Sequence, residues 1–520
     1  MKLAISSEQV QHCRAMALAI AHEVQMEIAR MSTISVERSL LRLLGMEGAT
    51  AGIPWVNAFL EQIQEHNVLE DGALYWLGNT LCATDLSISQ IGQEVGEGRL
   101  DVVKTVRHPL KDIQASIAAV TMESLRRIFL LRAQRRQFRN GLPIHVSPLL
   151  YVIVASGNIH DDIAQAKAAA EQGADVIAVI RSTAQSLLDF VPEGVTTEGF
   201  GGTYATQANY RLMRAALDEV SRKTGRYIHQ VNYCSGLCMA EIAALAILEG
   251  LDLMVNDALY GILFRDLNMV RTMIDQHFSR YLLGLFDLII VTGEDNLIKT
   301  VDAFQEYYIV LTSQFINEQL AKQAGMEEKQ IGLGHAAELD PSLPDSFLWE
   351  LVQAQLVRQI FPHSPVKFMP PTRYISGNIF FAHVLDTLFN LVAIWTGQEI
   401  ILLGMPTEGI HTPYVQDRYL SLESAMHLRS AACSLRKELN FRQNGKSKAR
   451  AQGILDQTES TLSEIEQIGL WTALNRGMFS QIKRSRKGGR GYEGVFPISQ
   501  FYLNPFLDQE LVKRAQKITR

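Results

Sequence analysis

The stretch LLYVIVASGNIHDDIAQAKAAAEQGADVIAVIR, Leu149 to Arg181, decides the fold. Both of its ends are continuous apolar runs, the composition of strands buried on both faces. Helical periodicity fills the middle. Asp161-Asp162 at its start are expected to cap that helix and complement its dipole. Gly173, just before the second run, is expected to end it in the left-handed conformation. The unit therefore reads strand, helix, strand, and the second strand exits on a guanidinium, Arg181.

The same alternation continues outward. Strands are expected at Leu149–Ala155, Asp175–Ile180, Tyr227–Asn232, Leu251–Asn256, Asp287–Val291, Gln330–Gly334, Val366–Met369 and Glu399–Gly404, each followed by helical periodicity. Gly225, Gly250, Gly284 and Gly397 stand before strands as Gly173 does, and Gly325 lies a few residues ahead of another. Eight right-handed strand–helix units close into an α/β TIM (β/α)8 barrel. A doubly wound open sheet is the competitor, and the count of eight favours the barrel.

Three regions follow from this reading. Residues 1–148 form a helical N-terminal extension, with apolar periodicity in Val10–Met31 and Ile113–Leu131. Residues 149–440 form the barrel, and 441–520 form one helix, Gln457–Ile468, with a loop-rich tail. The flanks are expected to serve packing and subunit interfaces. The Gly-rich basic loop KGGRGYEG, Lys487–Gly494, is a candidate clamp on a partner.

The chain has 520 residues, 47% hydrophobic and 20% charged, with net charge −6. That balance provides a large core and argues against nucleic acid or a membrane as partner. The basic stretches Arg126–Arg139 and Lys483–Arg490 are expected to be solvated faces or subunit contacts. Five scattered cysteines without a C-x-x-C pair argue against a disulfide framework or zinc site, and for a reducing cytoplasm. The N-terminal residues lack a signal-peptide core, and the apolar stretch near Tyr281–Val291 is too short to span a bilayer.

Most expected strands end on chemically capable residues. Arg181 opens RSTAQS, where a guanidinium beside small donors suits a phosphate; a salt bridge to a neighbouring strand end is equally open. Ser235 and Gly236 begin the expected helix 237–249, a position for an anion or for a plain cap. Cys234 and Cys238 read as buried thiols. Tyr260 can stack on a flat ring or simply pack, and Arg265 can reach a phosphate or carboxylate. Glu294-Asp295 can bind a substrate ammonium, form a structural salt bridge, or perform acid–base work; no metal set is read here. Lys367 can bind a carboxylate, pair with Asp295, or form a Schiff base, and the last is opposed by nearby acids. His335 and His411 are candidate acid–base groups or satisfied structural histidines, and Glu408 lies near the latter. GFGGTY, Gly199–Tyr204, lacks the strand and lysine of a P-loop.

Taken in order, DVIAVIR-x4-SLLD, TTEGFGGTYATQ, NYCSGLCMAEIAA, NDALYGILFRD, TGEDN, SQFINEQ, GLGHAAELD, MPPTRYISGNIF and LLGMPTEGIHTP resemble the alpha (large) subunit of lysine 5,6-aminomutase. The resemblance is dense from Leu149 to Leu422. It is lighter in VERSLLRLLG and GGRGYEG…YLNPF, and poor from residue 47 to 145. It implies an isomerase that uses pyridoxal 5'-phosphate and adenosylcobalamin for a radical 1,2-shift of the terminal amino group of D-lysine or L-β-lysine, from carbon 6 to carbon 5. It also implies a beta subunit that binds cobalamin and supplies the Schiff-base lysine, with two copies of each chain. No D-x-H-x-x-G cobalamin motif occurs in this sequence.

Carried over by position, the resemblance places Arg181, Gln185, Ser186, Ser235, Tyr260 and Arg265 around pyridoxal phosphate, with Arg181 at the phosphate and Ser235 at the ring nitrogen. Asp295 and Lys367 hold the substrate's amino and carboxylate ends. The sequence departs from the family pattern at Ala184, where glycine is expected, and in LIKT after TGEDN. Two other functions compete: a self-sufficient barrel enzyme or aldolase with Lys367 as Schiff base, and a non-catalytic barrel binding protein.

Overall fold

Why the apolar runs sit where they do is plain from the sheet they build. The computed structural model describes residues 2–143, 146–180, 185–199, 201–336 and 338–518, with the backbone alone at 179 and 180. Its barrel strands are β1 Leu149–Ile153, β2 Val176–Ile180, β3 His229–Tyr233, β4 Leu253–Val255, β5 Ile289–Val291, β6 (Ile331–Gly332 and Gly334–Ala336, interrupted at Leu333), β7 Lys367–Met369 and β8 Ile400–Leu402. All adjacent pairs are parallel. The ring closes where Ile400 of β8 pairs with Leu149 of β1.

Gly332, just before the interruption in β6, is a close-packed position. A Cβ at Gly332 would lie 2.6 Å from the Ile290 carbonyl oxygen, so β5 and β6 approach closely only because that residue is glycine. The ladder continues across the break, with Thr292 N–H donating to Gly332 (2.8 Å) and Lys367 N–H to Leu333 (2.9 Å).

Alternate residues of the strands fill the barrel interior. Tyr151, Val176, Ala178, Val231, Leu253, Val291, Ile400 and Leu402 form a core of their own inside the ring. The outward residues join a second, continuous core with the surrounding helices, which reaches from Leu3 to Ala515.

The covering helices are Ile159–Glu171, Gln207–Thr224, Met239–Leu248, Met269–Leu285, Tyr307–Gln323, Ser346–Ile360, Ile379–Thr396 and Val415–Ala431, with a short extra helix, Ala258–Phe264, after β4. Two expectations about their ends are corrected. The first helix is capped by Asn158, which accepts from His160 N–H; Asp161 and Asp162 sit inside the first turn. Gly284 lies within the last turn of its helix against Met326 rather than in a left-handed terminator, whereas Gly225 and Gly397 do end theirs left-handed.

Ile379–Thr396 is a longer apolar segment than Tyr281–Val291. Its mean hydropathy of 1.6 over 18 residues is enough to cross a bilayer by length and composition, which the expectation built on Tyr281–Val291 overlooks. Here it packs as a barrel helix that buries Asp386, Phe389 and Asn390, while Phe380 at its start is 81% exposed.

Before β1 the chain forms helices Ser7–Ile28, Ile34–Leu43, Trp55–Glu65, Ala73–Ala83, Ile88–Gly96 and Leu110–Asn140. The last carries the first basic stretch, and not all of it is solvated. Arg132 is buried and donates to Leu251 and Asp287 carbonyls, at the entrances of β4 and β5. After the barrel, the helix runs Lys446–Ile468, longer than expected because Ser447, Ala451, Ile454 and Leu455 already keep the helical period of its buried face. Leu470–Arg476 and Gln509–Ile518 add further helix to the tail.

The two flanks meet, with Met31–Thr33 pairing antiparallel with Val495–Pro497. The Gly-rich loop clamps its own chain. Asn268 Nδ2 donates to the Arg486 and Gly488 carbonyls, and Arg271 donates to Gly491.

Candidate active site

A cleft opens at the C-terminal rim of the barrel, where strand exits bring distant sequence together. It is lined by Ser186 after β2, Tyr233 and Ser235 after β3, Asp257, Tyr260 and Arg265 after β4, Gly293, Asn296 and Lys299 after β5, and Lys367 on β7. Val255 and Met369, at the tops of β4 and β7, line it beside them. Of the residues expected in the site, Ser186, Ser235, Tyr260, Arg265 and Lys367 meet here. Gln185 borders the adjoining recess under Ser186 and Ser235. Arg181 lies outside the described residues.

The β2 exit is held from below. Gln185 donates to and accepts from the backbone of Ala205 (2.9 and 2.7 Å), tying the loop to the segment after GFGGTY. In that segment Gly199 packs so closely that a Cβ would lie 1.9 Å from the Gly202 carbonyl oxygen, so its glycines serve packing. Gly236, with φ +96°, lets the β3 exit touch the β2 loop; a Cβ there would lie 2.4 Å from Ser186 Cα.

Asp189 anchors the far end of the same loop. Its carboxylate accepts from Arg38 Nη2 (2.6 Å) of the N-terminal extension and from Arg271 Nη1 and Nη2 (2.9 and 2.6 Å) of the barrel. Burial alone would raise its pKa, but Arg271 and Arg38 outweigh burial and hold it below the usual carboxylate range. Arg38 and Arg42 also grip the buried Glu241 at 3.0 Å each. The sequence reading missed this anchor, although Asp189 closes the SLLD motif.

Tyr260 and Arg265 act as one unit. Arg265 Nη2 donates to the Tyr260 hydroxyl (2.8 Å), its guanidinium lies 5.4 Å from the ring centroid, and Phe264 leans on the ring from 5.6 Å. Beneath them Asp257 caps the short helix by accepting from Leu259 N–H (3.0 Å). Burial pushes Asp257 up, against the pull of Arg280.

The two carboxylates of TGED have separate fates. Glu294 is fully spent on structure: it accepts from Gly334 N–H and Asn317 Nδ2 (2.8 Å each) and from Thr292 Oγ1, and burial with Asp257 nearby raises its pKa. Asp295 turns towards Lys367, with Oδ1 3.8 Å from Nζ. It is 0% exposed and sits behind the lysine rather than on the cleft wall. Gly334 makes room for it, since a Cβ there would lie 2.5 Å from Oδ1. Lys367 is 4% exposed, and its ammonium makes no hydrogen bond among the described residues.

The histidines stand apart from the cleft. His335 lies on the helix-facing side of β6, stacked on Phe368 at 4.5 Å and hydrogen-bonded to the Tyr307 hydroxyl (2.6 Å). His411 contacts the Thr412 carbonyl and the Tyr414 ring, and neither it nor Glu408 lines the cleft. Cys234 and Cys238 are buried free thiols; burial pushes Cys234 up to about 12. Among the described residues no His/Cys/Asp/Glu group has the arrangement of a metal site.

The cleft wall carries three cations (Arg265, Lys299, Lys367), one carboxylate (Asp257), two serine hydroxyls (Ser186, Ser235) and two tyrosines (Tyr233, Tyr260). Such a set suits a flat, phosphate-bearing ring together with a carboxylate-bearing substrate. Lys367, with Asp295 at 3.8 Å as its counter-charge and no hydrogen bond among the described residues, has donors to offer an anion in the cleft.

Residues 3–509 match the family described as the D-lysine 5,6-aminomutase TIM-barrel domain of alpha subunit. Over 513 residues the chain is 49% identical to the lysine 5,6-aminomutase alpha subunit of Acetoanaerobium sticklandii, covering 98% of this chain and 99% of that one. The lysine 5,6-aminomutase alpha subunit of Fusobacterium nucleatum subsp. nucleatum is 47% identical over 97% of this chain and 98% of its own. A more distant relative, D-ornithine 4,5-aminomutase subunit beta of Acetoanaerobium sticklandii, is 28% identical over 69% of this chain and 50% of its own length.

Proposed function

Because the chain belongs to the family of the D-lysine 5,6-aminomutase alpha-subunit barrel, we propose that it is the substrate- and pyridoxal-phosphate-binding half of a cytoplasmic lysine 5,6-aminomutase. A beta subunit completes it by holding adenosylcobalamin and contributing the lysine that anchors pyridoxal phosphate, two copies of each chain forming the enzyme. The substrate is D-lysine or L-β-lysine, whose terminal nitrogen moves from carbon 6 to carbon 5. The flanks wrapped around the barrel are the surface offered to the partner.

The observation that carries this reading is the cleft wall itself: Tyr260 with Arg265, Ser186 and Ser235 on one side, and the bare ammonium of Lys367 on the other. When bound, the two cofactors supply the radical and the ring that carries the migrating nitrogen. The chain's own residues do the positioning. Arg181, Gln185 and Ser186 hold the phosphate end, Tyr260 covers the ring face, and Arg265 is oriented by its bond to the Tyr260 hydroxyl. Ser235, a neutral hydroxyl, meets the ring nitrogen without forcing a proton onto it, which fits a radical shift better than carbanion chemistry. Lys367 holds the substrate carboxylate, and Asp295 behind it keeps that ammonium in place while favouring the substrate's amino end. Val255 and Met369 keep the deep end apolar, so the reacting carbons meet few proton donors.

The test is reconstitution with the cobalamin-binding subunit and both cofactors. Conversion of D-lysine or L-β-lysine into the isomer with nitrogen on carbon 5 is expected. Cofactor binding without turnover of either substrate would instead make the chain a binding protein. Borohydride reduction of the chain alone is expected to leave no pyridoxyl on Lys367, and its appearance there would replace this reading with a self-sufficient barrel enzyme.

A further inference from the structure

Lys299 was not among the expected site residues, and it falls in LIKT, where the sequence departs from the family pattern. It follows the tight turn Glu294–Ile298 after β5, and its side chain lines the cleft at 30% exposure. Its ammonium lies 3.7 Å from Glu338 Oε1 and 3.5 Å from Thr372 Oγ1. Glu338 is 0% exposed, and neither of its oxygens has a hydrogen-bond partner among the described residues. Burial pushes it up to about 7, with Lys299 the chief opposing charge.

The arrangement repeats the one at β7. Lys367 stands 3.8 Å in front of Asp295, whose Oδ1 also accepts no hydrogen bond among the described residues. The cleft thus carries two ammoniums, each backed by a buried carboxylate and each too far from it for a good hydrogen bond. An ammonium has three donors; Lys367, 4% exposed, makes no hydrogen bond among the described residues, and Lys299, 30% exposed, makes one long bond to Thr372 Oγ1, so both have donors to offer a ligand. A carboxylate entering from the cleft has about four lone-pair positions and satisfies both lysines at once.

We infer that Lys299, seated on Glu338, is a second carboxylate-binding cation that grips the acid end of an amino-acid substrate together with Lys367. This rests on the proposed function and names a specificity residue of the same cleft.

The test uses the complex with its cobalamin subunit, loaded with pyridoxal phosphate and hydroxocobalamin so that binding occurs without turnover. Calorimetric titration compares whichever of D-lysine and L-β-lysine the wild type binds with the corresponding carboxamide. Lys299→Met is expected to weaken the amino acid at least tenfold and the amide less than twofold, and Lys299→Arg to stay within threefold of wild type for both. Equal weakening of both ligands by Lys299→Met, or no weakening, overturns the inference. If that variant does not assemble, Lys299→Gln is read by the same criteria. A wild-type complex that binds neither lysine isomer rejects the proposed function itself, which is a separate outcome.

Discussion

Replacing Asp189 by asparagine removes the charge that two buried guanidiniums share at the end of the β2 loop. Arg38 and Arg271 are 3% and 1% exposed, whereas Asp189 is 31% exposed. Removing one partner of a buried ion pair costs about 3–5 kcal/mol. Solvent reaches Asp189, asparagine keeps one acceptor, and Arg38 retains Glu241, so a loss of about 2 kcal/mol is expected. At roughly 1.4 kcal/mol per tenfold, that shifts the balance between an anchored and a released loop by about 30-fold. Asp189 does not line the cleft, so any loss of cofactor affinity reports anchoring alone. Spectroscopic titration of the complex with pyridoxal phosphate is expected to give a Kd raised towards that factor, and urea unfolding a lowered midpoint. Since the carboxyl is held below its ordinary pKa, its contribution is present above about pH 4 and fades as pH falls through the native value, so variant and wild type converge in acid. Unchanged cofactor affinity and unchanged midpoint at neutral pH would refute the anchoring role.

Tyr260→Ala removes the ring and leaves Arg265 without its hydroxyl partner, so the Kd for pyridoxal phosphate is expected to rise about tenfold in the same titration. Lys367→Ala deletes a charge-assisted contact worth about 1.5–3 kcal/mol, which predicts a KM for the lysine substrate about 10- to 150-fold higher with a smaller change in kcat; an unchanged KM would exclude the carboxylate role. Asp386 is raised to about 8 by burial and by Glu408, and both of its oxygens lack partners among the described residues. Wild type should therefore lose stability as pH climbs from about 4 through 8, and Asp386→Asn should not. The two stabilities, read from urea curves, are expected to separate between about pH 4 and 8 and to differ by a few kcal/mol in favour of the variant from pH 8 upward; a constant difference from pH 4 to 8 would count against it.

The strands were legible because burial on both faces leaves its mark in the chain itself, as continuous runs such as VIAVI between glycines. Most bounds shrank by up to a few residues, while β3 ran on to Tyr233 and β6 to Ala336, and the role of Gly332 was invisible because it owes its identity to the Ile290 carbonyl on another strand. The rim residues Ser235 and Tyr260 were legible for a related reason: a parallel barrel sends every strand exit to the same face, so position in the repeat predicts position in space, whereas Lys367 is the first residue of β7. The pattern of strand ends could not divide Glu294 from Asp295, and only the family resemblance singled out Asp295; the two differ in the turn that aims one at Gly334 and Asn317 and the other at Lys367. Nor could it place His335, whose ring direction depends on the pleat of β6, or pair Lys299 with Glu338.

By itself, then, the sequence determined the eightfold alternation, the rim and most of the polar groups that reach it, because these follow from local periodicity and from the handedness of the crossover. Tertiary structure alone decided which of those groups are spent and which remain available. Ion pairs and hydrogen bonds join residues as far apart as Ser32 and Tyr502, 470 positions along the chain. Their partners are set by packing distance, to which a linear pattern carries no information.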